Sequence, residues 1–114
     1  MSETDLVKAI GQYLTYKRVF WYRNNTGATK TASGGFIRFG TKGSPDIIAV
    51  AKGRYIGIEC KMGSGRQSPA QKEFQRALEA AGGKYILARS IDDLEVVFKP
   101  KTPMSGIIAP SVFL

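Results

Sequence analysis

The chain has no histidine, a single cysteine and no run of eighteen apolar residues. The missing histidine excludes His-based nucleases, Ser-His-Asp hydrolases and ordinary zinc sites. The lone cysteine, Cys60, excludes an internal disulfide, and its position inside an apolar segment predicts a buried thiol. Because there is neither a long apolar run nor a signal-peptide pattern, we expect a cytoplasmic protein without a membrane-spanning segment.

Acidic residues are also scarce. Nine Asp and Glu residues face seventeen Lys and Arg residues, which gives a net charge of +8 and a pI of about 9.8. This balance favours a polyanionic partner, most commonly nucleic acid. An anionic membrane is the alternative, but the sequence contains no basic amphipathic helix with a strong apolar face. The length of 114 residues predicts one domain, residues 1–100, and an apolar tail, residues 101–114, that packs on this domain or on a dimer partner.

Residues 42–61, KGSPDIIAVAKGRYIGIECK, contain the strongest signal in the chain. Two segments rich in Ile, Val and Tyr, residues 46–50 and 54–61, flank Lys52 and Gly53. This pattern predicts an antiparallel β-hairpin closed by a two-residue turn. Each segment contains a continuous apolar run, which is typical of strands that are buried on both faces.

The predicted register places Asp46 directly opposite Glu59, with Lys61 two residues further along the same face. At a separation of roughly 5 Å, two ionised carboxylates repel by about 3 kcal/mol in an effective dielectric of about 20. A divalent cation between them converts this repulsion into attraction, because Mg²⁺ prefers hard oxygen ligands. The alternative is that Asp46 caps the turn after Pro45 and that Glu59 is a solvated strand residue. The apolar strands favour the metal site, since buried charges need partners.

The segment Gly43-Ser44-Pro45-Asp46, followed by Glu59-Cys60-Lys61, resembles the signature of the PD-(D/E)XK nucleases. Its G-x-P-D form is similar to that of the VRR-NUC domain, the virus-type replication-repair nucleases, of the stand-alone phage or bacterial type. The resemblance spans roughly residues 3–98. It implies an α/β fold with a restriction-endonuclease-like core, in which helices flank a mixed central sheet. It also implies metal-dependent DNA cleavage, by a bacterial protein or one that a phage encodes.

The resemblance implies a role for each polar residue of the hairpin. Asp46 and Glu59 would bind Mg²⁺ or Mn²⁺, with the backbone carbonyl of Cys60 as a further ligand. Lys61 would orient or help to deprotonate the attacking water and would stabilise developing negative charge. Two helices would add Glu3, as a further metal ligand, and Gln71, as a residue that positions the lysine.

The N-terminal helix is predicted over residues 2–17. Ser2 is a suitable N-cap with Asp5 at N3, and apolar residues follow at helical spacing. Glu3 precedes Leu6 by three residues and Ile10 by seven, which places it on the core-facing stripe. Its alternative role is a favourable interaction with the helix dipole.

A second helix is predicted to start at Ser68-Pro69-Ala70-Gln71, which combines an N-cap serine, an N1 proline and an N3 glutamine. Gly82-Gly83 predicts its end. Gln71 lies near the core-facing side, so helix capping and contact with the site are both open roles for it. The residues predicted to form the buried face are Phe74, Leu78 and Ala81.

Residues 19–23 predict the first strand, residues 24–35 a flexible surface loop or irregular hairpin turn, and residues 36–40 a further strand. In that further strand Arg38 should lie on one face, with Ile37 and Phe39 on the other. Basic residues around this loop and after the hairpin are suited to contact DNA phosphates, although a merely solubilising loop is the alternative. The candidate DNA-binding residues are Arg23, Lys30, Arg38, Lys42 and Arg66. A strand from Lys84 and a helix from Ser90 complete the prediction.

We therefore expect a Mg²⁺- or Mn²⁺-dependent endodeoxyribonuclease. A non-catalytic DNA-binding module is the first alternative, and an RNA-processing enzyme with the same chemistry is another. Tyr55-Ile56-Gly57 matches half of a GIY-YIG nuclease signature, but no Gly-Ile-Tyr precedes it.

Size and resemblance together predict a homodimer that acts on branched DNA. A core of this length has no further domain for selecting a substrate, and two-fold pairing is the commonest assembly of soluble homo-oligomers. Two active sites at a fixed separation suit paired cuts in a four-way junction, whereas a monomer suits a flap-type nuclease. The dimer contact is predicted in residues 107–114, with residues 19–21 as another candidate.

Overall fold

The computed structural model describes residues 1–98, which form a mixed α/β fold. In chain order the elements are α1 (Glu3–Tyr16), β1 (Phe20–Arg23), β2 (Gly27–Lys30), β3 (Phe36–Phe39), β4 (Ile47–Ala51), β5 (Arg54–Cys60), α2 (Pro69–Ala80), β6 (Lys84–Ala88) and α3 (Asp92–Phe98). The predicted α/β class is therefore confirmed. The predicted tail, residues 101–114, lies outside the described residues. Within residues 1–98, no helix has both the length and the apolar character needed to cross a membrane.

Four strands form the main sheet in the order β1-β4-β5-β6. β4 runs antiparallel to both β1 and β5, whereas β6 runs parallel to β5. A parallel pair requires a crossover connection, and α2 lies in that connection. The sheet is therefore mixed, as the sequence predicts.

The main core lies between one face of this sheet and helices α1 and α3. Cys60 is fully buried in it, which confirms the buried thiol that its apolar surroundings predict. The apolar side chains that form this core include Leu6, Ile10 and Leu14 of α1, Val19, Ile47, Ala49, Ile58 and Ala88 of the sheet region, and Leu94 and Phe98 of α3.

Helix α2 packs on the opposite face of the sheet, where a methyl group added at Gly57 would lie 3.4 Å from Leu78 Cδ2. Its capping box and its N1 proline are as predicted. Phe74 and Leu78 are only half-buried, and no residue of α2 is fully buried. The prediction that Ala81 is buried is wrong, because Ala81 is the C-cap and is exposed at the end of the helix.

The β4–β5 hairpin has the predicted register, with Ile47 paired to Ile58 around the two-residue turn Lys52-Gly53. Lys52 has a φ of 54° and Gly53 a φ of 74°. Two positive φ angles characterise a type I′ turn, whose twist matches that of the flanking strands. Because side chains alternate along a strand, a slip of one residue would move Asp46 to the opposite face. This turn therefore determines where the carboxylate lies.

The segment predicted as a flexible surface loop or an irregular hairpin turn, residues 24–35, contains strand β2. β2 pairs with β3 in a separate two-stranded sheet, so β3 does not join the main sheet. Sequence pattern does not reveal β2 because Gly-Ala-Thr-Lys has no apolar alternation, and all eight paired residues are exposed. The predicted alternation within β3 is consistent with the register, which places Arg38 opposite Ala28 and Ile37 opposite Thr29.

We expect Gly53→Ala to lower the free energy of unfolding by about 1 kcal/mol, because alanine is strained at positive φ. A methyl group there meets nothing within 4 Å, so the loss reports backbone strain alone. Gly34→Ala is the matched control: Gly34 also has a positive φ and open space, but it lies between β2 and β3. Urea denaturation followed by Trp21 fluorescence should show a smaller loss for Gly34→Ala. Equal losses would mean that both hairpins unfold as one unit.

Candidate active site

The two carboxylates and the lysine predicted from the hairpin meet at one end of it. Asp46 immediately precedes β4, Glu59 is the penultimate residue of β5, and Lys61 immediately follows β5. Ile47 and Ile58 both point into the main core, so the alternating residues Asp46, Glu59 and Lys61 point to the face that carries α2.

Hydrogen bonds from Asn24 hold the segment that carries Asp46. The Asn24 side-chain amide donates to Ser44 Oγ at 2.8 Å and to the Pro45 carbonyl oxygen at 2.9 Å. Its backbone N–H donates to the Asp46 carbonyl oxygen at 2.8 Å. This role was not predicted, because asparagine after a strand is an ordinary turn residue in sequence.

The carboxylate of Asp46 is tied to the partner strand. The backbone N–H of Cys60 donates to Asp46 Oδ2 at 2.8 Å. This bond joins the start of β4 to the end of β5 and keeps the Asp46 carboxyl close enough to Glu59 for its charge to raise the pKa of Glu59. The contact seen for Cys60 is thus through its N–H, and the role of its carbonyl as a metal ligand stays a prediction.

Glu59 has only 3% of its surface exposed. Its Oε2 accepts a hydrogen bond from Gln71 Nε2 at 3.0 Å and lies 3.9 Å from Lys61 Nζ. Its Oε1 is buried and has no hydrogen-bond partner in residues 1–98. Burying a polar oxygen without a partner costs stability, so Oε1 is an atom at which a ligand would be bound favourably.

Burial raises the pKa of Glu59 to about 8, the charge of Asp46 acts in the same direction, and Lys61 opposes them. Near neutral pH, Glu59 therefore favours its protonated form when no cation is bound. Burial, with the charges of Asp46 and Glu59, likewise raises the pKa of the Cys60 thiol to about 12. A thiol of that kind is inert, so the chemistry of this site belongs to its oxygen and nitrogen atoms.

Gln71 caps a helix and contacts the site at the same time. Its Oε1 accepts from the backbone N–H of Ser68 at 2.8 Å, which closes the predicted capping box. Its Nε2 donates to Glu59 Oε2, whereas the family resemblance implies that Gln71 positions Lys61. Gln71 and Lys61 approach the same carboxylate oxygen, so both hold Glu59 through Oε2 and leave Oε1 without a hydrogen-bond partner within the described chain.

Glu3 lies in the first turn of α1, on the same side as the buried Leu6 and Ile10, but its own side chain is exposed. The buried face of the helix begins one turn later, at Leu6, because the first turn contains the capping residues. The charge of Glu3 nevertheless contributes to the raised pKa values of Glu59 and Cys60. The helix therefore begins close to the site, and a metal-binding role for Glu3 stays a prediction.

The five predicted DNA-contact residues are all exposed. Arg23 ends β1 and lies near the site, since its charge acts to lower the pKa of Cys60. Lys30 and Arg38 lie on the separate β2–β3 hairpin, Lys42 follows that hairpin, and Arg66 lies between β5 and α2. The fold thus distributes these cations over several surface elements.

The connection after Lys61 is held by Arg89, which was not predicted. The Arg89 guanidinium donates to the carbonyl oxygens of Gly63 and Gly65, both at 2.8 Å. With Arg66 and Lys72 it also borders a cavity of about 410 Å³. In sequence Arg89 cannot be distinguished from an ordinary surface arginine, because its partners are backbone carbonyls distant in the chain.

The side chains present fit a magnesium-type cation better than zinc. Within residues 1–98 no group of three or more His, Cys, Asp or Glu residues is arranged to hold a metal ion. Two adjacent carboxylates remain, and one buried oxygen of Glu59 has no partner among the described residues. Mg²⁺ is usually held by one or two protein carboxylates, several waters and substrate phosphates. Zinc requires more nitrogen or sulfur ligands than this site offers.

No protein-family model matches the sequence, and a search of the curated proteins finds no match either. The resemblance to VRR-NUC domains therefore depends on the motif residues themselves, and the function is inferred from the site.

Glu59→Gln is expected to change how stability depends on pH. In the unfolded chain the carboxyl titrates at about 4.5, and in the folded protein at about 8. The folded state thus holds a proton that the unfolded state releases, so stability falls as pH rises between these values. Thermal unfolding at a series of pH values should show this fall for the metal-free protein and a flatter profile for Glu59→Gln.

Glu79→Gln is the matched control, because Glu79 is an exposed acid on α2. It should retain the pH dependence of the unchanged protein. If Glu59→Gln showed the same fall as this control, the buried carboxyl would not hold the proton.

Proposed function

We propose that this protein is a metal-dependent DNA endonuclease that hydrolyses phosphodiester bonds. One observation carries the proposal: the half-buried Asp46 lies near the buried Glu59, whose Oε1 has no hydrogen-bond partner in residues 1–98. A hairpin with a purely structural role gains nothing from such a pair, since an unpaired buried carboxylate is destabilising. Binding of a divalent cation offsets that cost.

Asp46 and Glu59 are the residues that would hold the cation. A bound divalent cation supplies a water of lowered pKa and neutralises the charge that collects on the phosphate. Glu59 must first lose the proton that burial and Asp46 favour, so affinity for the cation rises with pH. Cys60 N–H and Gln71 Nε2 orient the two carboxylates through hydrogen bonds to one oxygen of each.

Lys61 supplies a positive charge near Oε2 of Glu59. Its Nζ lies 3.9 Å from Glu59 Oε2, and its side chain is 15% exposed. Without a cation, this ammonium is the basic group that forms an ion pair with Glu59 among residues 1–98. Once the carboxylate charge is neutralised, the ammonium is available to orient a water or to contact a phosphate oxygen.

We place the preferred substrate among branched DNAs, such as four-way junctions, cut by a homodimer. Phe20, Tyr22 and Val50 lie on one face of the β1–β4 pair and are 66%, 50% and 37% exposed. Trp21 points the other way, and its Nε1 donates to Thr15 Oγ1 at 2.9 Å. Within the predicted segment 19–21, only the Phe20 side chain is therefore available to a second copy. The exposed face formed by Phe20, Tyr22 and Val50 supports a dimer contact on this sheet.

We expect nicking of supercoiled plasmid with Mg²⁺ or Mn²⁺, and none in EDTA. Asp46→Asn and Glu59→Gln should abolish cleavage while DNA binding is retained or tightened, because each removes a negative charge near phosphate. The control Glu79→Gln should cleave normally. Robust cleavage by either site variant would refute the metal site. Metal-independent binding without cleavage would identify a DNA-binding module, and preferential cleavage of RNA an RNA-processing enzyme.

Lys61→Ala separates catalysis from metal binding. We expect it to lower the turnover rate by ~10²–10³-fold, as is typical when one positioned electrostatic donor is removed. Calorimetric titration with Mn²⁺ should show that the cation still binds. Loss of cation binding or of folding would instead assign Lys61 a structural role.

Light scattering at micromolar concentration should give a mass near twice 12.4 kDa. Tyr22→Lys places a charge on the exposed sheet face and should yield monomers that lose paired cuts in a four-way junction. Tyr16→Lys is the control, since Tyr16 is an 83% exposed tyrosine on α1. A monomeric wild type that cuts flaps and ignores junctions would favour a flap-type nuclease.

A further inference from the structure

The β2–β3 hairpin has two chemically different faces. Residues that pair across an antiparallel ladder share a face, and Lys30 pairs with Phe36 while Ala28 pairs with Arg38. Lys30, Phe36 and Arg38 therefore form one surface, here called the basic-aromatic face. The opposite face carries Thr29, Ile37 and Phe39.

The basic-aromatic face presents an aromatic ring between two cations. Phe36 is 70% exposed, and both cations are exposed. Lys30 is its direct cross-strand neighbour, and Arg38 lies two residues along the same strand. On the other face, by contrast, the Phe39 ring covers Gly27, where an added Cβ would lie 3.0 Å from it. Phe39 thus has a packing role within the hairpin, whereas the exposure of Phe36 suggests a binding role.

The turn between the strands is well fixed. The Thr31 backbone N–H donates to the Gly35 carbonyl oxygen at 2.8 Å, and the Gly35 N–H donates to Thr31 Oγ1 at 3.0 Å. Ser33 Oγ lies 3.1 Å from the same hydroxyl. The ring of Phe36 directly follows this turn, so the turn helps to hold it in position.

The charge of the chain around this hairpin indicates which kind of molecule binds to the basic-aromatic face. Residues 20–45, from β1 to the segment before Asp46, contain no acidic residue but four basic ones, Arg23, Lys30, Arg38 and Lys42. An apolar protein partner would not require these cations, and the phosphates of a plain duplex would not require an exposed ring. Unpaired nucleotides require both, because each combines a phosphate with an open π-face.

We propose that the basic-aromatic face binds unpaired nucleotides of DNA, with Phe36 stacked on a base and Lys30 and Arg38 at the neighbouring phosphates. The inference deepens the proposed function, on which it rests, because it names the part of a branched DNA that the protein recognises.

Binding in EDTA tests this independently of cleavage. Fluorescence anisotropy should compare a splayed duplex, which has two single-stranded arms, with a fully paired duplex of equal length. Phe36→Ala should weaken binding to the splayed duplex about tenfold, the size expected for the loss of one base–aromatic stack, and leave the paired duplex unaffected. Phe36→Trp should restore the affinity, and Lys30→Ala should weaken binding to both DNAs.

Ile37→Ala is the matched control, because Ile37 is 57% exposed on the opposite face of the same hairpin. It should bind both DNAs like the unchanged protein. Equal effects of Phe36→Ala and Ile37→Ala, or no effect of either, would overturn the inference. A fall in the mass of the assembly for Phe36→Ala, seen by light scattering, would instead assign the face to a second copy of the chain.

Different results would refute the nuclease proposal and the inference about the β2–β3 hairpin. If no metal-dependent cleavage is found but Phe36→Ala still loses affinity only for the splayed duplex, the hairpin inference stands and the nuclease proposal falls. If Asp46→Asn abolishes cleavage but Phe36→Ala binds both DNAs normally, only the hairpin inference falls.

Discussion

The β4–β5 hairpin holds the carboxylates of Asp46 and Glu59 next to each other, at the end opposite its turn. The type I′ turn at Lys52-Gly53 determines which residues face each other, and the Cys60 N–H extends that pairing to Asp46. Without this register, Asp46 would point into the apolar core on the other face of the sheet. The burial of Glu59, its raised pKa and its partner Gln71 all follow from the same pairing.

Residues from neighbouring elements hold the chain in place on both sides of this carboxylate pair. Asn24 fixes the segment before Asp46, and Arg89 fixes the connection after Lys61. The Asn24 side chain is uncharged and the Arg89 guanidinium is cationic, so neither adds a negative charge that would compete with the carboxylates for a cation. The electrostatic character of the site is thus determined by very few groups, mainly Asp46, Glu59 and Lys61, with smaller contributions from Glu3 and Arg23.

Sequence reasoning succeeded where local rules apply. The hairpin register follows from the turn residues, and both capping boxes follow from serine with Asp or Gln three residues later. It failed for contacts between residues distant in the chain, such as those of Asn24 and Arg89. Glu3 shows the limit of periodicity: spacing predicts the side of a helix, but not where along it burial begins. Strand β2 was not predicted because Gly27–Lys30 lacks an apolar pattern.

Helix α2 has no fully buried residue, and Gln71 in its first turn joins the helix cap to Glu59. The segment before Asp46 also packs on that turn, since a methyl at Gly43 would lie 2.3 Å from the Ala70 carbonyl oxygen. Local unfolding of a weakly packed helix costs less free energy than global unfolding. Fraying of this first turn would release the Gln71 amide that orients Glu59. Amide hydrogen exchange at the start of α2 and the ionisation of the Glu59 carboxyl are therefore thermodynamically linked.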